Sequence, residues 1–153
     1  MRVRVAALLV LLAVAPVVVA AEDPPLPEVA AALDRIRDHS TIELTTTGRQ
    51  TGKEHTKPIW FVASEGKIVV QAGKDGKADW YQNLLTTPAA EARQDGYLFR
   101  VRAKPVTDPV RVEAIHRQFL DKYTSAWLLS FFGSSIGHGK PMELAPVAVA
   151  VSR

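Results

Sequence analysis

The sequence predicts an α+β domain in which helices surround a small antiparallel barrel. Three observations lead there. Between Thr41 and Val106 the chain breaks into short, β-branched runs divided by the turn signals Gly48 to Lys53, Glu65-Gly66 and Asp95-Gly96. Helical spacing occurs before, between and after these runs. A further apolar run near the C-terminus supplies another strand, so five or six strands are available.

Taken in order, Glu22 to Pro27 is an acidic, proline-rich leader. Leu26, Val29, Leu33 and Ile36 then recur at helical spacing, which predicts an amphipathic helix over 26–39. Ile42 and Leu44 alternate with polar neighbours and predict a strand over 41–47. A second strand covers 55–63, where Pro58 implies an edge position or a bulge. Glu65-Gly66 turns the chain into a third strand, Lys67 to Ala72. After the polar glycine loop Gly73 to Lys77, Asp79 is placed to cap a short helix carrying Trp80, Tyr81, Leu84 and Leu85, which stops at Pro88. A fourth strand from Ala90 meets Asp95-Gly96, a strong hairpin signal, and a fifth runs from Tyr97 to about Val106. Asp108-Pro109 supplies a cap and an N1 proline for a long helix reaching toward Phe132. A glycine and serine loop, 133–140, leads to a last strand, Met142 to Val151, interrupted by Pro146.

The chain of 153 residues suits one domain with a real core. Without cysteine, disulfides, thiolate metal sites and thiol nucleophiles are excluded. Arg2 and Arg4 precede an apolar run from Val5 to Ala21, the order of a secretory signal peptide. An uncleaved membrane anchor is the alternative, since about 17 apolar residues is near the short end of what spans a bilayer. Either places residues 22–40, the leader and first helix, and 41–153, the barrel domain, outside the cytoplasmic membrane, periplasmic or secreted. Without residues 1–21 the balance is 17 cations against 16 acids, which excludes a general nucleic-acid binder. Functional charge must be local, and most of it lies between Arg49 and Lys77.

The turn Gly48-Arg49-Gln50-Thr51-Gly52-Lys53, followed by His55 and Lys57, combines glycines that let backbone N–H groups converge with cationic and hydroxyl donors. That composition suits a phosphate, although a solvated hairpin tip has the same composition. The Gly73 to Lys77 loop could let backbone approach a planar ring or simply connect two elements. Phe119, Tyr123, Trp127 and Phe131 recur every four residues, a core stripe. It turns apolar on nearly all sides toward Phe132, which suits a homodimer interface, a wall for a hydrophobic substrate or contact with a membrane surface. The four histidines show no metal-ligand spacing, and no nucleophile elbow or carboxylate pair is present. If this is an enzyme, its reactive atoms then belong to a cofactor.

Leu44 to Lys53, Lys57-Pro58-Ile59-Trp60-Phe61, the glycine loop after the third strand and Trp80-Tyr81-Gln82-Asn83-Leu84 before Pro88 together resemble the deazaflavin-dependent nitroreductase family. That family belongs to the split β-barrel superfamily of flavin and deazaflavin oxidoreductases, which includes pyridoxamine-phosphate-oxidase-like proteins. The resemblance covers roughly residues 40–107 well and the C-terminal third in outline. It implies a split β-barrel of about six antiparallel strands that binds the deazaflavin coenzyme F-420, with FMN the alternative. Arg49, Thr51, Gly52 and Lys53 would hold the phosphate end, with His55 standing where many members carry an arginine. Lys57 and Pro58 would continue that wall, Ala72, Gly73 and Lys74 would pass beneath the ring, and Trp80 and Asn83 would close the site. The implied reaction is hydride transfer to a hydrophobic quinone-like or nitro-substituted acceptor, with Tyr123 as an acceptor-side donor. Asp79 departs from the family pattern by setting a negative charge near an anionic ligand. Two other readings of the same barrel are a non-catalytic binder of a flavin, haem-like or lipid ligand, and an interaction module.

Overall fold

The computed structural model describes residues 25–123 and 138–151. Its elements are α1 (Pro27–Ile36), β1 (Thr41–Thr47), β2 (Glu54–Ser64), β3 (Lys67–Ala72), a 3-10 turn (Lys74–Gly76), α2 (Asp79–Thr86), β4 (Ala89–Gln94), β5 (Tyr97–Pro105), α3 (Pro109–Lys122) and β6 (Lys140–Val151). The six strands close into an antiparallel barrel in the order β1-β2-β3-β6-β5-β4. The expected α+β barrel with flanking helices is the observed fold.

β2 is long because it serves two neighbours in turn. Glu54 to Trp60 pairs with β1, and Phe61 to Ser64 pairs with β3. Pro58 therefore sits where the strand is paired to β1 but not to β3, as a residue lacking an N–H requires. The second strand proline, Pro146, adjoins a register shift. Val101 pairs with Pro146 while Arg100 pairs with Ala148, leaving Val147 as the extra residue of a bulge. The β1–β4 seam that completes the barrel is short, with three register pairs, Glu43–Arg93, Leu44–Ala92 and Thr45–Glu91.

Alternation along the strands sends Ile42, Leu44, Phe61, Ile68, Val70, Phe99, Val101, Met142 and Leu144 into the barrel. Val29, Ala32, Leu33 and Ile36 of α1 and Trp80, Tyr81 and Leu84 of α2 join the same core. α1 lies against the end that carries the Glu65-Gly66 turn, and α2 lies against the opposite end, beside the β1–β2 hairpin. Outside the wall, α3 covers Val62 and Val69 with Ile115, Phe119 and Tyr123 to form a second cluster. An ionic network fastens this side. Glu143 of β6 accepts from Lys67 at 3.0 Å and from Arg111 Nε at 2.8 Å, and Arg111 Nη1 reaches Glu65 at 2.8 Å. Burial works against the charged form of Glu143, but the bonds from Arg111 and Lys67 outweigh it and hold its carboxyl below the ordinary value.

Two local expectations change. α2 begins at Asp79 with Ala78 as N-cap, and no side chain caps it, because Asp79 turns to Arg49 instead. α3 ends at Lys122 with Tyr123 as its C-cap. The cap at the other end is as expected, Asp108 accepting from the Arg111 N–H. The residues from Trp127 to Phe132, and the interface or membrane contact expected of them, lie outside the described residues, as do residues 1–21. No helix among the described residues is long and apolar enough to cross a membrane.

Candidate functional site

The barrel's inner face changes character along β1 and β2. The register sets Ile42 opposite Ile59, then Leu44 opposite Lys57, then Thr46 opposite His55. Directly opposed residues share a face, so one inward row passes from apolar to polar and cationic as it reaches the hairpin end. There the strands stop and the turn 48–53 begins. Gly48 N–H donates to Lys53 O at 2.7 Å and Gly52 N–H to Gly48 O at 2.8 Å. Gly52 takes φ +68°, a left-handed conformation natural to glycine. Gly48 is needed for space: a Cβ there would lie 2.7 Å from Thr51 Oγ1 and 2.9 Å from His55 Nε2.

Between this turn and α2 lies a cavity of about 240 Å³ lined by Thr46, Gly48, Arg49, Gln50, Thr51, His55, Lys57, Asp79, Trp80 and Asn83. Asn83 organises it. The side chain is 4 % exposed, and its Oδ1 accepts from both the backbone N–H and Nη1 of Arg49, each at 3.1 Å. Its Nδ2 donates to Thr46 Oγ1 at 3.2 Å. One buried amide thus ties strand, turn and helix together. Asp79, one helical turn before it, receives Nη1 and Nη2 of Arg49 on Oδ1 at 3.2 and 3.1 Å. With Asp79 76 % exposed, that ion pair is worth at most about 1 kcal/mol.

Six of the expected site residues therefore meet around one cavity: Arg49, Thr51, His55, Lys57, Trp80 and Asn83. The other described ones do not line it. Gly52 and Lys53 stand on the exposed outer part of the turn. Pro58 opposes Glu43, and alternation turns it to the outer face, away from Lys57. Ala72 is 1 % exposed in the core at the end of β3, Gly73 follows it and is not among the lining residues, and the Lys74 side chain lies outside the described residues. Tyr123 lies in the second cluster, 3 % exposed and stacked on Trp60 at 4.6 Å. Its hydroxyl accepts from Phe61 N–H at 3.0 Å and is within donating distance of the Phe61 and Ser40 carbonyls, at 2.7 and 2.8 Å. Burial pushes that hydroxyl up to about 12, against a smaller opposing effect of the Phe61 bond. It packs and braces at this position and does not line the cavity. The lining residues not foreseen as ligand contacts are Thr46, Gly48, Gln50 and Asp79. Thr46 was within reach, because a paired β1 and β2 place it opposite His55.

This lining can hold an anion. Arg49 offers a planar fork, Lys57 a second charge, and Thr51 and His55 polar atoms beside a glycine that leaves no room for a side chain. The fit to a phosphate-bearing cofactor rests on that donor set. Among the described residues no cluster of three or more His, Asp or Glu could hold a metal.

The closed six-stranded barrel with flanking helices and a cationic mouth is a split β-barrel. More narrowly, residues 28–126 match the F420H(2)-dependent quinone reductase family, and the chain belongs to it. It is accordingly a deazaflavin-dependent oxidoreductase, and its cofactor is F420. Solved structures agree on the fold. The conserved hypothetical protein Rv2991 from Mycobacterium tuberculosis superposes with a TM-score of 0.64 at 16% identity, over 84% of this chain and 86% of that one. An F420-H2 dependent reductase, FDR-A, gives 0.52 at 21%, over 69% and 93%. The heme storage protein HutZ from Vibrio cholerae gives 0.59 at 16%, over 83% and 94%.

Proposed function

We propose that this chain reduces a hydrophobic, quinone-like acceptor outside the cytoplasmic membrane, holding its cofactor by the phosphate end in the cavity between the β1–β2 turn and α2. The observation that carries the reading is the inward row Leu44/Lys57 and Thr46/His55 meeting Arg49 at the barrel mouth. When bound, the reduced deazaflavin supplies the hydride. The protein's part is to bind, orient and keep water away. Arg49 grips the phosphate with its planar fork and Lys57 adds a second charge. Thr51 and His55 offer polar atoms beside them. Trp80, 9 % exposed, gives the cavity an apolar wall, and Asn83 keeps Arg49 aimed. A nitro-substituted acceptor would meet the same requirements, so the quinone is the choice that the family's description favours. The location outside the membrane is supported by Arg2, Arg4 and the apolar run from Val5 to Ala21.

Fluorescence titration of the purified protein with F420 tests the assignment. Wild type should take up the cofactor, and Arg49→Ala with Lys57→Ala should weaken uptake about 100-fold while circular dichroism stays unchanged. Unweakened uptake would remove the phosphate assignment. Absent uptake of F420 and FMN, together with a Soret band on adding haem, would replace the enzyme with a ligand-binding protein.

A further inference from the structure

The fork of Arg49 is already occupied by a carboxylate. Both terminal nitrogens converge on Asp79 Oδ1, at 3.2 and 3.1 Å. A phosphate bound in the manner proposed above would draw on the same guanidinium. Two anions therefore compete for one guanidinium.

The environment decides which of them gives way. The Asp79 carboxylate is 76 % exposed and can exchange its arginine for water. Arg49 is 32 % exposed and stays in place without it, because its backbone N–H and Nη1 both remain bonded to the buried Asn83 Oδ1. Asp79 is also the first residue of α2, where a helix N-terminus tolerates a displaced negative charge. The aspartate is thus dispensable for positioning Arg49 and well placed to hinder its ligand. We propose that Asp79 is an internal competitor that lowers the site's affinity for phosphate: it fills the Arg49 fork in the free protein and repels the ligand once displaced. The inference rests on reading the cavity as a phosphate site.

Inorganic pyrophosphate, followed through the backbone amide resonances of the turn glycines Gly48 and Gly52, and F420, followed by fluorescence, are titrated into wild type, Asp79→Asn, Asp79→Ser, Arg49→Ala and the Arg49→Ala/Asp79→Asn double variant. The serine variant keeps a helix-starting polar residue in case the amide disturbs α2. Both Asp79 variants should bind each probe about fivefold tighter at low salt, the scale of one partly exposed ion pair. The gain should shrink as salt rises and largely vanish in the Arg49→Ala background. Unchanged or weaker binding by both variants would overturn the proposal and make Asp79 a support for Arg49. Failure of wild type to take up F420 would sink the deazaflavin assignment alone, because pyrophosphate still reads the competition. Neither pyrophosphate nor F420 bound by any of these proteins would overturn both.

Discussion

A single atom holds Arg49 at both ends: Asn83 Oδ1 lies 3.1 Å from its backbone nitrogen and 3.1 Å from its Nη1. The amide is buried, so its removal leaves Thr46 and the Arg49 N–H without their partner. Asn83→Ala should cost about 1–3 kcal/mol in urea unfolding. It should also weaken F420 binding beyond what the fold loses, since Arg49 is no longer aimed. Full affinity in a destabilised Asn83→Ala protein would separate the two roles and deny the second.

Tyr123 gives the opposite pattern. Its hydroxyl serves the Phe61 backbone and the Ser40 carbonyl, remote from the cavity lining. Tyr123→Phe should lower stability by about 1–3 kcal/mol because the buried Phe61 N–H loses that acceptor. Cofactor affinity and the turnover of bound cofactor should stay at wild-type levels. A selective fall in turnover would return the tyrosine to the reaction.

Glu143 governs the acid limb. Its carboxyl is held below the ordinary value, so the native state favours its ionised form. That stability is complete above the unfolded carboxyl range and is lost as pH falls through the native value. Glu143→Gln should remove the carboxylate charge opposite Arg111, cost about 3 kcal/mol at neutral pH, and flatten the acid limb of melting temperature against pH. An acid limb as steep as wild type would assign the effect elsewhere.

Lys122 acts on the alkaline side, where its lowered value raises stability with pH as that of Glu143 does on the acid side. Burial lowers its ammonium from 10.5 to about 8, and nearby Asp38 opposes that shift. Its Nζ donates to the Phe61 carbonyl at 2.8 Å and lies 4.0 Å from the centre of the Phe61 ring. Between about pH 8 and 10.5 the unfolded chain holds more protons, so this group adds stability as pH rises through that window. Lys122→Met should abolish that rise in chemical denaturation measured from pH 7 to 11.

Much of this was legible in the residues. Short runs between turn signals located all six strands, although β4 carries no β-branched residue, and Pro58, which implied an edge position or a bulge, lies where β2 is paired only to β1. The family resemblance brought six of the expected ligand contacts to one cavity. What local pattern could not supply was the partner of each side chain. Asp79 has the sequence context of a cap, yet a guanidinium 30 residues away competes for its carboxylate and wins. Tyr123 stands on an aromatic stripe whether its hydroxyl meets a ligand or a backbone. Only the crossing of α3 over β2 decides that.

The three-pair β1–β4 seam matters beyond closing the barrel. β1 has seven register pairs with β2, so if the sheet parts, β1 leaves with β2 as one flap. Arg49, His55 and Lys57 travel with that flap, whereas Asp79, Trp80 and Asn83 stay with α2. A ligand gripped from both sides acts as a suture across the join. Its signature would be slowed amide hydrogen exchange at Glu43, Thr45, Glu91 and Arg93, residues that lie along the seam and do not line the cavity.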